Sequence, residues 1–171
     1  MKRIPNLNAD IVIAKGAAGF EIGENFKDVI SSICTYSTWS PGSSISLEIA
    51  IHNCSGWLLA LGLTNDQEKR FLSYKGIVDL KFNSSGVLYE ISVAKGYAGS
   101  LWGRVGIGMN FFLLKNEFLT IYDEGDEMYY LESKEGNVIP GIAFYVDDYS
   151  LNGESSQLIS IISIHNWELA S

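Results

Sequence analysis

Residues 11–19, IVIAKGAAG, return with few changes as residues 91–99, ISVAKGYAG. Six of the nine positions are identical at an offset of 80: Ile11/Ile91, Ala14/Ala94, Lys15/Lys95, Gly16/Gly96, Ala18/Ala98 and Gly19/Gly99. The second copy then inserts five residues, SLWGR, and the match resumes. FEIGENF at 20–26 lies over VGIGMNF at 105–111, four of seven identical. A supersecondary unit used twice must bury its two copies together, which restricts the architecture more than any composition figure does. The 171 residues suit one domain with a real core. The expectation is a single domain over 1–171 built from two related halves, with copies starting near 11 and 91. Ile13 and Val93 should then hold equivalent inward positions.

Each copy reads as an alternating strand, a glycine loop and a short helix opened near Asn25 or Asn110, whose side chains suit orphan backbone N–H groups. Phe26, Val29, Ile30 and Ile33 form a helical stripe, as do Phe111, Leu114 and Phe118. Period-2 alternation predicts strands over SISLEIAIH (44–52), KGIVDLKF (75–82), GVLYEISVA (86–94), GIAFYVDD (141–148) and SQLISIISIHNW (156–167). GWLLALGL (56–63) reads as a fully buried strand. FLTIYD and EMYYLE flank Glu124-Gly125-Asp126 as a hairpin. The fold class expected is α+β: mainly antiparallel sheet with two short helices.

Charge is divided unevenly. Residues 1–85 carry eight basic and eight acidic side chains, whereas residues 86–171 carry four basic and twelve acidic. The whole net charge of −8 therefore sits in the second half. Nucleic acid and anionic membrane are poor partners for such a surface, and a basic protein is a good one. No apolar run reaches the roughly 20 residues of a membrane span. Pro5 and Asp10 interrupt any signal-like stretch. Cys34 and Cys54 are too few for a disulfide framework and read as reduced thiols, so a cytoplasmic protein is expected.

The densest chemistry lies in TIYDEGDEMYYLE (120–132), where Asp123, Glu124, Asp126 and Glu127 surround Gly125. An EF-hand needs alternating ligands and a glutamate at position twelve, which this spacing lacks. His52 and His165 are read as sheet residues rather than zinc ligands, so no metal or cofactor is expected. Glu124 and Asp126, or Asp147 and Asp148, are weak acid/base pairs because adjacent turn carboxylates share one environment. Gly103–Gly108 has neither a dinucleotide-binding nor a phosphate-loop order, and no nucleophile elbow occurs. A protein-binding patch fits better, with Tyr122, Tyr129 and Tyr130 as aromatic neighbours of the acidic turn. Asp147, Asp148 and Glu154 are further acidic candidates.

IAKGAAGFEIGENFKDVI, its second copy, DEGDEMYY and GIAFYVDD together resemble small bacterial immunity proteins of contact-dependent growth inhibition and related polymorphic toxin systems. The resemblance covers most of the length and carries no catalytic signature. It implies a non-enzymatic cytoplasmic inhibitor that binds a cognate toxin domain, often a nuclease, over its active site or substrate groove. Two rivals stand beside it: a small-ligand-binding domain or enzyme with a pocket between the repeats, and an assembly subunit whose acidic face only keeps it soluble.

Overall fold

A computed structural model describes residues 3–33, 35–62, 70–151 and 154–170, with side chains at all of these except 148–151 and 154–156. Cys34 and residue 63 of the expected buried strand lie outside the described residues, as do the side chains of Asp148 and Glu154.

The chain opens with a two-residue hairpin, β1 (Gly16–Ala17) and β2 (Phe20–Glu21), and then α1 (Phe26–Ser32). Asn25 caps α1 by accepting a hydrogen bond from the Lys27 N–H at 2.9 Å. Val29 is fully buried on the inner face of α1, with Ile33 beside it just past the last turn. There follow β3 (Tyr36–Trp39), α2 (Leu47–Asn53), β4 (Trp57–Leu61), β5 (Arg70–Tyr74), β6 (Val78–Phe82) and β7 (Leu88–Ala94). The second half holds α3 (Phe112–Lys115), β8 (Leu119–Asp123), β9 (Met128–Glu132), β10 (Val138–Leu151), β11 (Glu154–His165) and a closing 3-10 turn at Trp167–Leu169.

Nine strands form one sheet in the order β3-β4-β5-β6-β7-β11-β10-β9-β8. Among the described strand pairs only β3–β4 is parallel. The remainder is two meanders, β4 to β7 and β8 to β11, each running inward from an outer position. Their last strands meet antiparallel, with Ile164 opposite Ile91 and Ile162 opposite Val93. Those four side chains, with Val78, Leu80, Phe82, Leu131, Ile142 and Phe144, make one apolar sheet face. It is covered by Ile11, Phe20, Val29, Leu101, Phe111 and Leu114, so one continuous core joins both halves.

The class is therefore α+β with a mainly antiparallel sheet, but with three helices instead of two. The extra one corrects the strand expected over 44–52. Ser46 caps it by accepting from the Ile49 N–H at 3.3 Å. Its inward residues Leu47, Ala50, Ile51 and Cys54 follow helical spacing. The alternating isoleucines misled because Ile45 and Ile49 are exposed, at 43% and 50%. His52 accordingly lies exposed on a helix and not in a sheet.

The repeat divides in two. Over 20–26 and 105–111 three hydrogen bonds to the sheet correspond. The Gly23 N–H donates to Leu88 O (2.8 Å), Leu88 N–H to Glu24 O (2.9 Å) and Phe26 N–H to Gly86 O (2.7 Å). In the second copy the Gly108 N–H donates to Ile159 O (2.7 Å), Ile159 N–H to Met109 O (2.9 Å) and Phe111 N–H to Gln157 O (2.8 Å). Each segment thus docks on the final strand of its own meander. Gly23 and Gly108 both need positive φ, 94° and 82°, which favours glycine in both copies. Asn110 repeats the Asn25 bond, accepting from the Phe112 N–H at 2.9 Å.

Over 11–19 and 91–99 the correspondence fails. Ile91–Ala94 is a central strand, whereas Ile11 makes a single bridge to Leu101 and residues 12–16 close a tight turn. Val93 is fully buried while Ile13 is only half-buried in that turn. The reason is topological. β7 has neighbours on both sides, β6 and β11, so a second strand of the same sequence has no free edge there. The first copy packs instead on the loop of the second. Tyr97 donates its hydroxyl hydrogen to Ala9 O (2.6 Å) and accepts from the Ala18 N–H (3.0 Å).

Candidate functional site

The acidic turn is the four-residue loop 124–127 joining edge strand β8 to β9, closed by the pair Asp123–Met128. All four carboxylates are exposed. Asp123 shapes the loop: its Oδ1 accepts from the N–H groups of Gly125 (2.7 Å) and Asp126 (3.3 Å). Asp126 Oδ2 accepts from the Tyr130 hydroxyl at 2.5 Å. Burial, and then this bond, push the Tyr130 phenol well above the usual tyrosine range. Glu124 and Glu127 take no part in holding the turn. Among the described residues none of the four forms an ion pair; the pairs found are Arg3–Glu24, Lys81–Glu90 and Arg104–Glu117. Asp123 and Asp126 thus give the loop its shape, while Glu124 and Glu127 give it free charge.

The three tyrosines separate, because β-strand neighbours face opposite ways. Tyr129 joins the core side, 4.9 Å from both the Phe111 and the Tyr122 ring centroids, with Lys115 Nζ over its ring at 5.4 Å. Tyr130 faces the other side, 5.9 Å and edge-on to the His165 ring. Asp147 is half-buried and lines a separate hollow with Lys95, Tyr97 and Leu158. The structure therefore brings Asp123–Glu127 and Tyr130 together, puts Tyr122 and Tyr129 on the opposite face, and sets Asp147 apart.

Beside Tyr130 lies a groove of about 400 Å³, lined by Ala14, Val138, Pro140, Gly141 and the C-terminal run His165–Glu168. It exists because β10 leaves its register with β9 between Val138 and Ala143, where Pro140 and Gly141 interrupt the ladder. The 12–16 turn closes one wall through the Ala14 N–H, which donates to Gly141 O at 3.2 Å. Trp167 stacks on His165 with centroids 4.2 Å apart and planes at 19°. His165 is 2% exposed and its Nδ1 has no partner. Burial holds this imidazole below its ordinary value, against the opposing pull of Glu90 and Asp126.

Behind the groove a polar row crosses the sheet. Glu90, 4% exposed, sits opposite His165 in register. It accepts from Lys81 (2.9 Å), Ser92 (2.8 Å) and Ser163 (3.2 Å). In the next row Asp79 sits opposite Ser73 in register, and its buried Oδ1 has no hydrogen-bond partner. Burial raises the Asp79 carboxyl above the usual range. A raised folded value means stability is lost as pH rises from the unfolded carboxylate range through the folded one. Asp79→Asn should therefore stabilise at pH 7 relative to the parent and reduce the gain seen on mild acidification. Urea midpoints for both proteins at pH 4.5 and pH 7 would check it; a variant weaker at pH 7 refutes the expectation.

The sequence reading placed His165 in a strand, as the structure does, but assigned it to no site, and it passed over Trp167, Glu168 and the Val138–Gly141 bulge. The available signal was Pro140-Gly141 inside a strand run, since proline cannot donate to a ladder. Among the described residues no group of three or more His, Cys, Asp or Glu side chains could hold a metal ion. No described helix is long and apolar enough to cross a membrane. Comparison with protein-family models, curated proteins and solved structures finds no match for this chain.

Proposed function

We propose that this chain is an immunity protein of a bacterial polymorphic toxin or contact-dependent growth inhibition system. It acts in the cytoplasm, without catalysis or cofactor, by covering the active site or substrate groove of a cognate toxin domain, a basic nuclease. The observation that supports this reading is the acidic hairpin: four exposed carboxylates at the sheet edge, unpaired among the described residues and held in one shape by Asp123 and the Tyr130–Asp126 bond. A nuclease presents positive charge to its substrate, and a preformed acidic tip competes for that charge. Complementary charge raises association from about 10⁵–10⁶ toward about 10⁸–10⁹ M⁻¹s⁻¹ at low salt.

Glu124→Lys with Glu127→Lys reverses the charge without touching the bonds that shape the turn. Association with the cognate toxin domain should slow at least tenfold at low salt, by loss of steering, and its salt dependence should flatten. Stability should stay within about 0.5 kcal/mol, as for other exposed loop substitutions. Stopped-flow binding at two ionic strengths separates the effects, and unchanged association at low salt would sink the proposal. A second reading, a small-ligand-binding domain, draws on the groove between the 12–16 turn and the C-terminal run.

A further inference from the structure

We infer that the groove beside the acidic turn is a socket for an arginine side chain presented by the partner protein. This rests on the reading of the hairpin as a docking surface. The walls are apolar and aromatic: Val138 and Trp167 are 49% and 44% exposed, and Pro140, Gly141 and Ala14 complete them. Glu168 is the one charged residue in the lining, and Asp126 lies one hydrogen bond away through Tyr130. Among the described residues no lysine or arginine lines the groove, and burial holds the His165 imidazole in its lining below its ordinary value. A ligand here needs a long apolar stem, a positive head and a flat face to lie on an indole.

Arginine meets those needs better than lysine. Its guanidinium is planar, weakly hydrated and stacks on aromatic faces, whereas an ammonium is a compact, strongly hydrated charge. Trp is the strongest aromatic partner for a cation. The guanidinium also carries five N–H donors. The exposed Glu168 carboxylate is the acceptor for them. The Tyr130 phenol is already committed, donating to Asp126, so it fixes the wall.

The test uses the full chain and needs no toxin. N-acetyl-arginine amide is titrated while the backbone amide signals of Ala14, Gly141 and Asn166 are followed by NMR. The corresponding citrulline compound, neutral and nearly isosteric, is the control. Saturable shifts with arginine and none with citrulline are expected. Glu168→Gln, an exposed substitution, should weaken binding about twofold to fivefold, as for an exposed ion pair. Trp167→Phe should retain binding and Trp167→Ala should abolish it. Equal response to citrulline, no saturable shift, or indifference to Glu168→Gln overturns the socket. That failure is separate from the hairpin proposal, which the charge reversal tests with the partner present.

Discussion

Phe111→Ala is expected to lower the free energy of unfolding by about 3–5 kcal/mol, a large share of what a domain of this size has. Phe26→Ala, at the matching position of the repeat, is expected to cost only about 1–2 kcal/mol, the transfer share of a half-buried ring. Both residues make the same backbone bond to the last strand of their meander. Their rings differ. Phe111 is fully buried, 5.8 Å from Phe144 and 4.9 Å from Tyr129, so it ties α3 to β9 and β10. Removing it leaves a cavity walled by rigid strands that cannot collapse into it. Phe26 is half-exposed, edge-on to Phe82 at 5.2 Å with the Arg70 guanidinium over its outer face. Water can fill the space it vacates. Urea unfolding of both variants measures the difference, and equal costs would refute this account of the two sites.

Gly99→Ala is expected to be the most damaging single-methyl change, costing roughly 4 kcal/mol or more, at the exceptional end for point substitutions. A Cβ there would lie 1.8 Å from the Ala9 carbonyl oxygen. That carbonyl belongs to the N-terminal segment, which the Gly99 and Ala98 N–H groups hold by donating to Leu7 O at 3.0 and 2.8 Å. The same carbonyl accepts the Tyr97 hydroxyl. Displacing it breaks the seam by which the start of the chain covers the core. Gly19, its identical partner in the repeat, has φ of 82° and only Asn6 Cβ at 3.9 Å nearby. Gly19→Ala should therefore cost about 1–2 kcal/mol, the penalty of a left-handed backbone. Hydrogen exchange at the Ile11 and Ala18 amides should rise sharply in Gly99→Ala alone. A Gly99→Ala protein as stable as the Gly19 variant would rule out the close approach.

These pairs show how far identical letters carry. Ile-Gly-x-Asn-Phe did mark the same object twice, because its requirements are local: a left-handed glycine, an asparagine accepting from the N–H two residues on, and a strand edge beside it. Ala-Lys-Gly-x-Ala-Gly did not, because being a strand requires a neighbour, and the neighbours lie far away in sequence. The same distinction explains 44–52. Its alternation is real, but alternation reports a strand only when one face is covered by the sheet's own core, and here Ser46 starts a helix first.

The acidic hairpin was legible in full, since a glycine loop between two aromatic runs and its charges need no distant partner. What the residues alone determined is this: strands with one apolar face, a seven-residue docking motif used twice, and all net negative charge in the second half. Tertiary structure decided the rest. It chose which tyrosine faces the groove and which the core, because strand register flips side chains with each residue. It also brought Ala14, Tyr130, Pro140 and Trp167, as many as 153 positions apart (167 − 14), around one cavity. Long-range pairing sets those distances, and no local pattern encodes it.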